Sequence, residues 1–171
     1  MQTEKQKGFT LVELLTTLII LSVLVALAVP NFVTWIKNNR IDAATRNLTG
    51  AFQLARSEAV SRQTVITVNS GGDWTNGLTI YTDTNPAGNT DYTAADDSLI
   101  KDLTYSMDGI TLAGNDDNNF ISFTSTGLLN EGPGNQRLIA ICDDRGADEG
   151  TLITLSTIGR ATIGNAINCA P

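Results

Sequence analysis

The sequence predicts an α+β protein: one long N-terminal helix packed against the antiparallel β-sheets of a globular head. Two observations predict this. A helical pattern of apolar residues runs from about Phe9 to about Arg62, and from Thr64 onward the texture changes to short β-prone runs separated by turn residues. A third observation, the apolar character of the helix's first part, assigns its surroundings.

From Leu14 to Val29 no charge interrupts sixteen residues, and Pro30 closes the run. The 21 residues from Phe9 to Val29 span roughly 30 Å as α-helix, close to one bilayer core. The sequence holds no second run of this kind, so a single crossing is expected. Lys5 and Lys7 precede it, which places the N-terminus in the cytoplasm and everything after Pro30 in the periplasm or exterior. An ordinary signal peptide would be cut after the apolar segment, behind small residues. Here the best such site, Ala26-Leu27-Ala28, leads straight into Val29-Pro30. Glu13 stands at the start of the run. A charge at the centre of a membrane helix costs about 2.5–3.5 kcal/mol and less towards an end, so Glu13 asks for a function.

The helical pattern resumes beyond Pro30. Phe32, Ile36, Ile41, Ala44, Leu48, Phe52, Ala55 and Ala59 form one apolar stripe, with Lys37, Arg46, Gln53 and Arg62 largely off it. Gly50 costs about 1 kcal/mol without ending the pattern. One helix of 54 residues would extend roughly 80 Å, with Pro30 the place for a kink. Its first half belongs in lipid or a helical bundle and its second half against the head.

Eight strands are expected in the head: 64–69, 78–82, 99–103, 110–112, 120–123, 137–141, 151–156 and 161–163. Ser70-Gly71-Gly72-Asp73, Asn85-Pro86-Ala87-Gly88, Asn115-Asp116-Asp117-Asn118 and Glu131-Gly132-Pro133-Gly134 punctuate them. Strands in this number suggest antiparallel sheets laid on the helix. The organisation is then a segment 1–8, a transmembrane helix 9–30, and a head 31–171 made of an amphipathic helix (31–62) and a β-rich region (64–171).

Composition narrows the chemistry. Residues 31–62 carry five basic against two acidic residues, a net of +3. Residues 63–171 carry four basic against fourteen acidic, a net of −10. An acidic head repels phosphate backbones and disfavours nucleic acid as a partner. The chain has no histidine, which removes Ser-His-Asp and Cys-His catalysis and most zinc sites. Cys142 and Cys169 are an even pair in an exported segment, so a disulfide is expected, with two buried thiols as the alternative. Ser57 has no base that the sequence can place beside it. Arg56 and Glu58 are two apart and face differently on a helix; both are expected to be solvated or bonded to the head. Trp74 is expected to anchor the core behind a turn. The loop from Asp83 to Asp91 places Asp, Asn and Gly at the first, third and sixth positions of a calcium loop. Ala87 and Ala94 then stand where oxygen ligands are required, so a solvated turn is preferred and no metal or cofactor is expected.

Gly8-Phe9-Thr10-Leu11-Val12-Glu13 resembles the prepilin motif of type IV pilins and type II secretion pseudopilins. The resemblance extends into the head. Leu54-Ala55-Arg56-Ser57-Glu58-Ala59-Val60 followed by Arg62, Trp74-Thr75-Asn76-Gly77-Leu78 leading to Asp83, Ile121-Ser122-Phe123 with Gly127, Ile141-Cys142-Asp143, and Leu155 to Arg160 are similar to segments of the GspH, FimT and FimU group of minor pilins. The resemblance implies a type IV pilin fold and a structural subunit rather than an enzyme. It implies removal of leader 1–8 by a prepilin peptidase and N-methyltransferase of the inner membrane, between Gly8 and Phe9, and methylation of Phe9. It implies a subunit-assembly role for Glu13, opposite the free amine of a neighbour. Three functions are compatible: a minor pilin that primes type IV pilus assembly with other minor pilins and the major pilin; a type II secretion pseudopilin; and a DNA-uptake pilin. The last group carries a Gly-Arg-x-Arg motif. Here Gly159-Arg160-Ala161-Thr162 keeps only the first arginine, so Arg160 is a weak DNA-binding candidate.

Overall fold

The computed structural model describes residues 8–84, 92–114, 119–130, 135–146, 149–166 and 169. Two compact units divide the chain, Met1–Lys37 and Asn38–Pro171.

Helix α1 (Leu11–Arg62) contributes to both units and contains Pro30 without losing its helical assignment. In the first unit its apolar side chains are exposed all round, Leu14, Leu18, Leu21 and Val25 among them. Such a helix belongs in lipid or in a bundle of like helices. Its few polar side chains are satisfied locally. Thr16, Thr17 and Ser22 donate to the carbonyls of Glu13, Leu14 and Ile19 at 3.0, 2.9 and 2.7 Å. Proline at position 30 cannot bond the carbonyl of Ala26; one residue on, the Asn31 side-chain amide adds a bond to the Leu27 carbonyl at 3.1 Å. Hydroxyls and amides folded back in this way expose little unmet polarity to an apolar surrounding.

In the second unit α1 buries one stripe: Ile41, Ala44, Leu48, Phe52, Ala55 and Ala59. The predicted stripe began nine residues earlier, at Phe32, with Ile36 next. The structure corrects that start. Phe32 is exposed and stacks on Trp35, with ring centroids 5.7 Å apart, and Ile36 is only half-buried.

All eight expected strands form: β1 (Ile66–Asn69), β2 (Gly77–Thr82), β3 (Ser98–Thr104), β4 (Thr111–Gly114), β5 (Phe120–Phe123), β6 (Arg137–Cys142), β7 (Thr151–Leu155) and β8 (Ala161–Asn165). They pair into two antiparallel four-stranded sheets, ordered β3-β2-β1-β5 and β4-β6-β7-β8. Each sheet sends alternate apolar residues into one core shared with the helix stripe. Ile66 and Val68, Ile121 and Phe123 come from the first sheet; Ile139 and Ile141, Ile153 and Leu155 come from the second. The two-residue spacing puts each pair on one face.

Three polar side chains buried in the first sheet are bonded to one another. Thr67 donates to the Asp83 carboxylate at 3.0 Å and lies 2.7 Å from the Ser122 hydroxyl. Asp83 is therefore buried in the first sheet's polar cluster and not the start of a solvated acidic loop; the rest of that candidate calcium loop, residues 85–91, lies outside the described residues. Arg137 is also buried and donates from Nη2 to the Phe120 carbonyl at 2.6 Å, joining β6 to β5 across the two sheets. Burial pulls its guanidinium down to about 10. Arg145 grips the Asp143 carboxylate with two nitrogens, Nε at 2.8 Å and Nη2 at 2.7 Å, and donates from Nη1 to the Asn38 side chain at 2.8 Å. Trp74 behaves as the expected anchor. It packs half-buried against the core, edge-on to Phe52 at 6.0 Å.

Phe52 touches the core that both sheets share, so Phe52→Ala should cost about 3–5 kcal/mol of stability. Urea unfolding of the full chain in detergent micelles checks this. A loss below about 1 kcal/mol, typical of surface substitutions or less, would mean the stripe is not the shared core.

Candidate assembly site

The first candidate residues cluster at the start of α1. Gly8 and Phe9 are exposed, Phe9 to 91 %. Thr10 and Glu13 cap the helix reciprocally. The Glu13 amide donates to Thr10 Oγ1 at 3.2 Å, while the Thr10 amide and hydroxyl donate to Glu13 Oε2 at 2.9 and 3.0 Å. This is a capping box, two orphan donors met by two side chains, with a carboxylate placed in the first turn where the helix dipole favours it. The sequence signal for it was present in Thr10-Leu11-Val12-Glu13, an S/T-x-x-E pattern opening an apolar run. Within a single subunit Glu13 is thus not a bare charge, and it remains fully at the surface where another molecule can reach it.

A second cluster lies on the head, where the last turns of α1 meet two tight turns. Gly127 and Gly159 both take positive φ, 77° and 71°. Arg56 lies against them, donating from Nε to the Gly127 carbonyl at 3.0 Å. A Cβ at 159 would strike the Gly127 carbonyl and stand 3.0 Å from Arg56 Nε. Arg56 thus ties the helix to these two turns through Nε while the residue itself stays exposed. Glu58 pairs with Arg62 one turn on, at 2.6 Å. Arg160 is exposed in the β7–β8 turn, where its backbone exchanges bonds with Ser156. Ala161 and Thr162 follow it, so it stands without a second arginine in the motif. A groove of about 670 Å³ runs between α1 and this turn, lined by Phe52, Gln53, Ser57, Val60 and Arg160 among others.

The two cysteines are joined. The Cys142–Cys169 disulfide has its Cα atoms 5.9 Å apart and closes a separation of 27 residues. With Ala140, Leu152 and Ala166 it forms a small apolar cluster separate from the main core. Gly150 leaves the room: a Cβ there would lie 3.0 Å from Cys169 Sγ and 2.9 Å from the Ile141 carbonyl.

A single apolar helix carrying a head of two antiparallel sheets is the type IV pilin fold. The sequence pattern of the prokaryotic N-terminal methylation motif matches residues 4–29, and that of the type II transport protein GspH matches residues 44–159. The chain belongs to the GspH family. In fold it is similar to the type IV minor pilin FimU of Pseudomonas aeruginosa in two crystal forms. These are 24 % identical, have TM-scores of 0.59 and 0.60, and cover 75 % and 80 % of this chain and 99 % of their own. No curated protein sequence matches the chain.

Two predictions follow from this geometry. Gly159→Ala should cost about 1–3 kcal/mol, because the residue is held in a left-handed conformation with no space for a methyl group; an unchanged urea midpoint would contradict it. Replacing Cys142 and Cys169 together with Ser should remove about 3.5 kcal/mol in the loop-entropy account for a loop of this size. The comparison is the unfolding free energy of the oxidised parent and the double variant, and equal values would mean the bridge does not stabilise the head.

Proposed function

We propose that this chain is a minor pilin of the type IV pilus that helps to prime filament assembly with other minor pilins. In this reading it is held in the inner membrane by α1 with its head in the periplasm. Prepilin peptidase cuts between Gly8 and Phe9, the new amine of Phe9 is methylated, and Glu13 meets the amine of a neighbouring subunit. Other minor pilins and the major pilin are then its partners, and inner-membrane lipid holds it before assembly.

The observation that carries the proposal is the methylation motif at the head of a helix whose first unit is apolar on every side. That surface must be covered by lipid or by helices of other subunits. A filament exchanges the first cover for the second, and each exchange buries further apolar helix. Glu13 faces the same exchange. A carboxylate carried into a low-dielectric bundle needs a cationic partner, and a processed neighbour's amine is of the right charge.

One observation favours a second reading. The family pattern that matches the head is described as a type II transport protein, so a pseudopilin of a secretion system is the alternative, built on the same chemistry. Co-purification of the tagged full chain with minor pilins rather than with secretion pseudopilins would decide for the first reading.

Glu13→Gln separates the two roles of that residue. Gln still accepts from the Thr10 amide and so retains the capping box, but it cannot pair with an amine as an anion. Membrane insertion should be unchanged, and recovery in sheared filaments should fall by at least about tenfold, since losing one member of a buried charge pair costs several kcal/mol. Parent-level recovery of Glu13→Gln would rule out the pairing.

A further inference from the structure

We infer that the outer edge of β8 is a docking strand for an extended, acidic segment of a neighbouring pilin-type head, which would add a fifth strand to the second sheet. The inference rests on the filament-subunit reading and goes beyond it by naming a contact between heads.

β8 is an edge, bonded to β7 on one side. The register identifies which of its backbone groups are spare. Ser156 donates to the Arg160 carbonyl and Ala166 to the Gly150 carbonyl, both at 3.0 Å. In an antiparallel ladder hydrogen-bonded pairs alternate. With Thr154 opposite Thr162 and Leu152 opposite Gly164, those two β8 residues turn their backbone towards β7. Ala161, Ile163 and Asn165 therefore turn theirs outward, and among the described residues nothing bonds them.

The sheet edges are not alike. β3, an edge of the first sheet, carries Lys101 and Asp102, and its pairing with β2 is interrupted by a bulge at Ile80/Tyr81. Charges and bulges are the usual protection of an edge against unwanted pairing. β5, the opposite edge of that sheet, is bridged at Phe123 by Leu129. The edges of the second sheet, β4 (Thr-Leu-Ala-Gly) and β8 (Ala-Thr-Ile-Gly-Asn), carry no charge, proline or bulge, and of these two β8 has the groove with Arg56 and Arg160 beside it. Its Ile163 stands opposite Ile153, on the core-facing side of the sheet, yet is 62 % exposed. It overhangs where the next strand would lie.

The groove beside the start of β8 supplies the floor. A strand added to β8 would lower alternate side chains towards Phe52, Ser57 and Val60 of α1. Arg56 and Arg160 stand on the groove's rim, two cations on a head whose β-rich part is strongly acidic. Their charge selects an acidic occupant, and main-chain bonding to an edge is how extended segments are commonly recognised.

The test is site-specific photocrosslinking of the full-length chain in cells that assemble the filament, with a benzophenone amino acid at Asn165. A second benzophenone at Leu24 of the apolar helix reports assembly itself. The expected Asn165 crosslink maps, by mass spectrometry of its peptides, to an extended strand bearing Asp or Glu in the head of another pilin-type subunit. Ile163→Pro removes an outward N–H and leaves the β7 ladder intact; it should lower that crosslink by at least about tenfold, a loss of about 1.4 kcal/mol, with the Leu24 crosslink and the Tm unchanged. Thr162→Pro, which removes an inward N–H, should lower the Tm. If Ile163→Pro fails to fold, Arg160→Glu replaces it with the same expected loss. A crosslink to a helix, to β8 of a second copy, or one undiminished in the folded variants overturns the docking strand. An Asn165 site without crosslink beside a productive Leu24 site also overturns it, and leaves the filament reading standing. Loss of both crosslinks overturns the filament reading, and the docking strand with it.

Discussion

Everything in the head depends on one stripe of α1. The two sheets are separate ladders with no strand in common. What joins them is the apolar layer in which Ile41, Leu48, Phe52 and Ala55 meet Ile66, Val68, Ile141 and Ile153. Alanines at 44, 51, 55 and 59 keep the helix surface low, and their small side chains let both sheets approach it. Polar ties add to this layer. Arg137 bonds one sheet to the other, and Arg145 bonds the β6–β7 connection to Asn38 at the start of the packed helix.

The same physics explains why the helix changes character along its length. Between Leu14 and Val29 no polar face exists, and the hydroxyls present turn back onto carbonyls within the helix. Past Ile41 a single buried stripe remains and the other faces are polar. One element is thus suited to two solvents. The family assignment agrees with that division: the methylation motif covers the apolar part and the GspH pattern covers the head.

Much of this was legible in the sequence. Each of the eight strands announced itself as a short β-prone run with turns on either side, because β-branched residues alternating as in Ile139 and Ile141, in a run too short for a helix, read as a strand. Sheet order was not legible. Nothing local in β1 says that it pairs with β5, over fifty residues on; that pairing is set by the shared core. Asp83 was misplaced because an acidic residue beside Asn, Pro and Gly has a loop's composition, and only the fold shows that Thr67 is waiting for it. The start of the stripe was misplaced too, since Phe32 and Ile36 obey helical spacing whether or not a sheet lies opposite. Of the candidate residues, the cysteine pair was legible as an even pair and is joined, whereas the roles read for Gly8, Phe9 and Glu13 rest on the spacing of the motif. That Arg56 bonds to the head was one of the two expectations for it; which group it meets was not legible, because that partner is a backbone carbonyl of Gly127 and carries no signature in composition. The capping role of Glu13 stood in plain view as Thr-x-x-Glu, hidden only by the attention an acidic residue draws in an apolar run.

That capping box has an energetic consequence. In an isolated subunit Glu13 already accepts from the Thr10 amide and hydroxyl. If it exchanges those donors for a neighbour's ammonium, it trades one satisfied state for another and the net gain is only the difference between them. Under the proposed reading the carboxylate therefore acts as a latch that sets subunit stagger, while the bulk of the cohesion comes from apolar helix surface. A polymer held chiefly by exchangeable packing, and aligned by a polar contact of nearly balanced energy, is one whose growth and shrinkage can both run close to equilibrium, with direction left to whatever machine acts on its base.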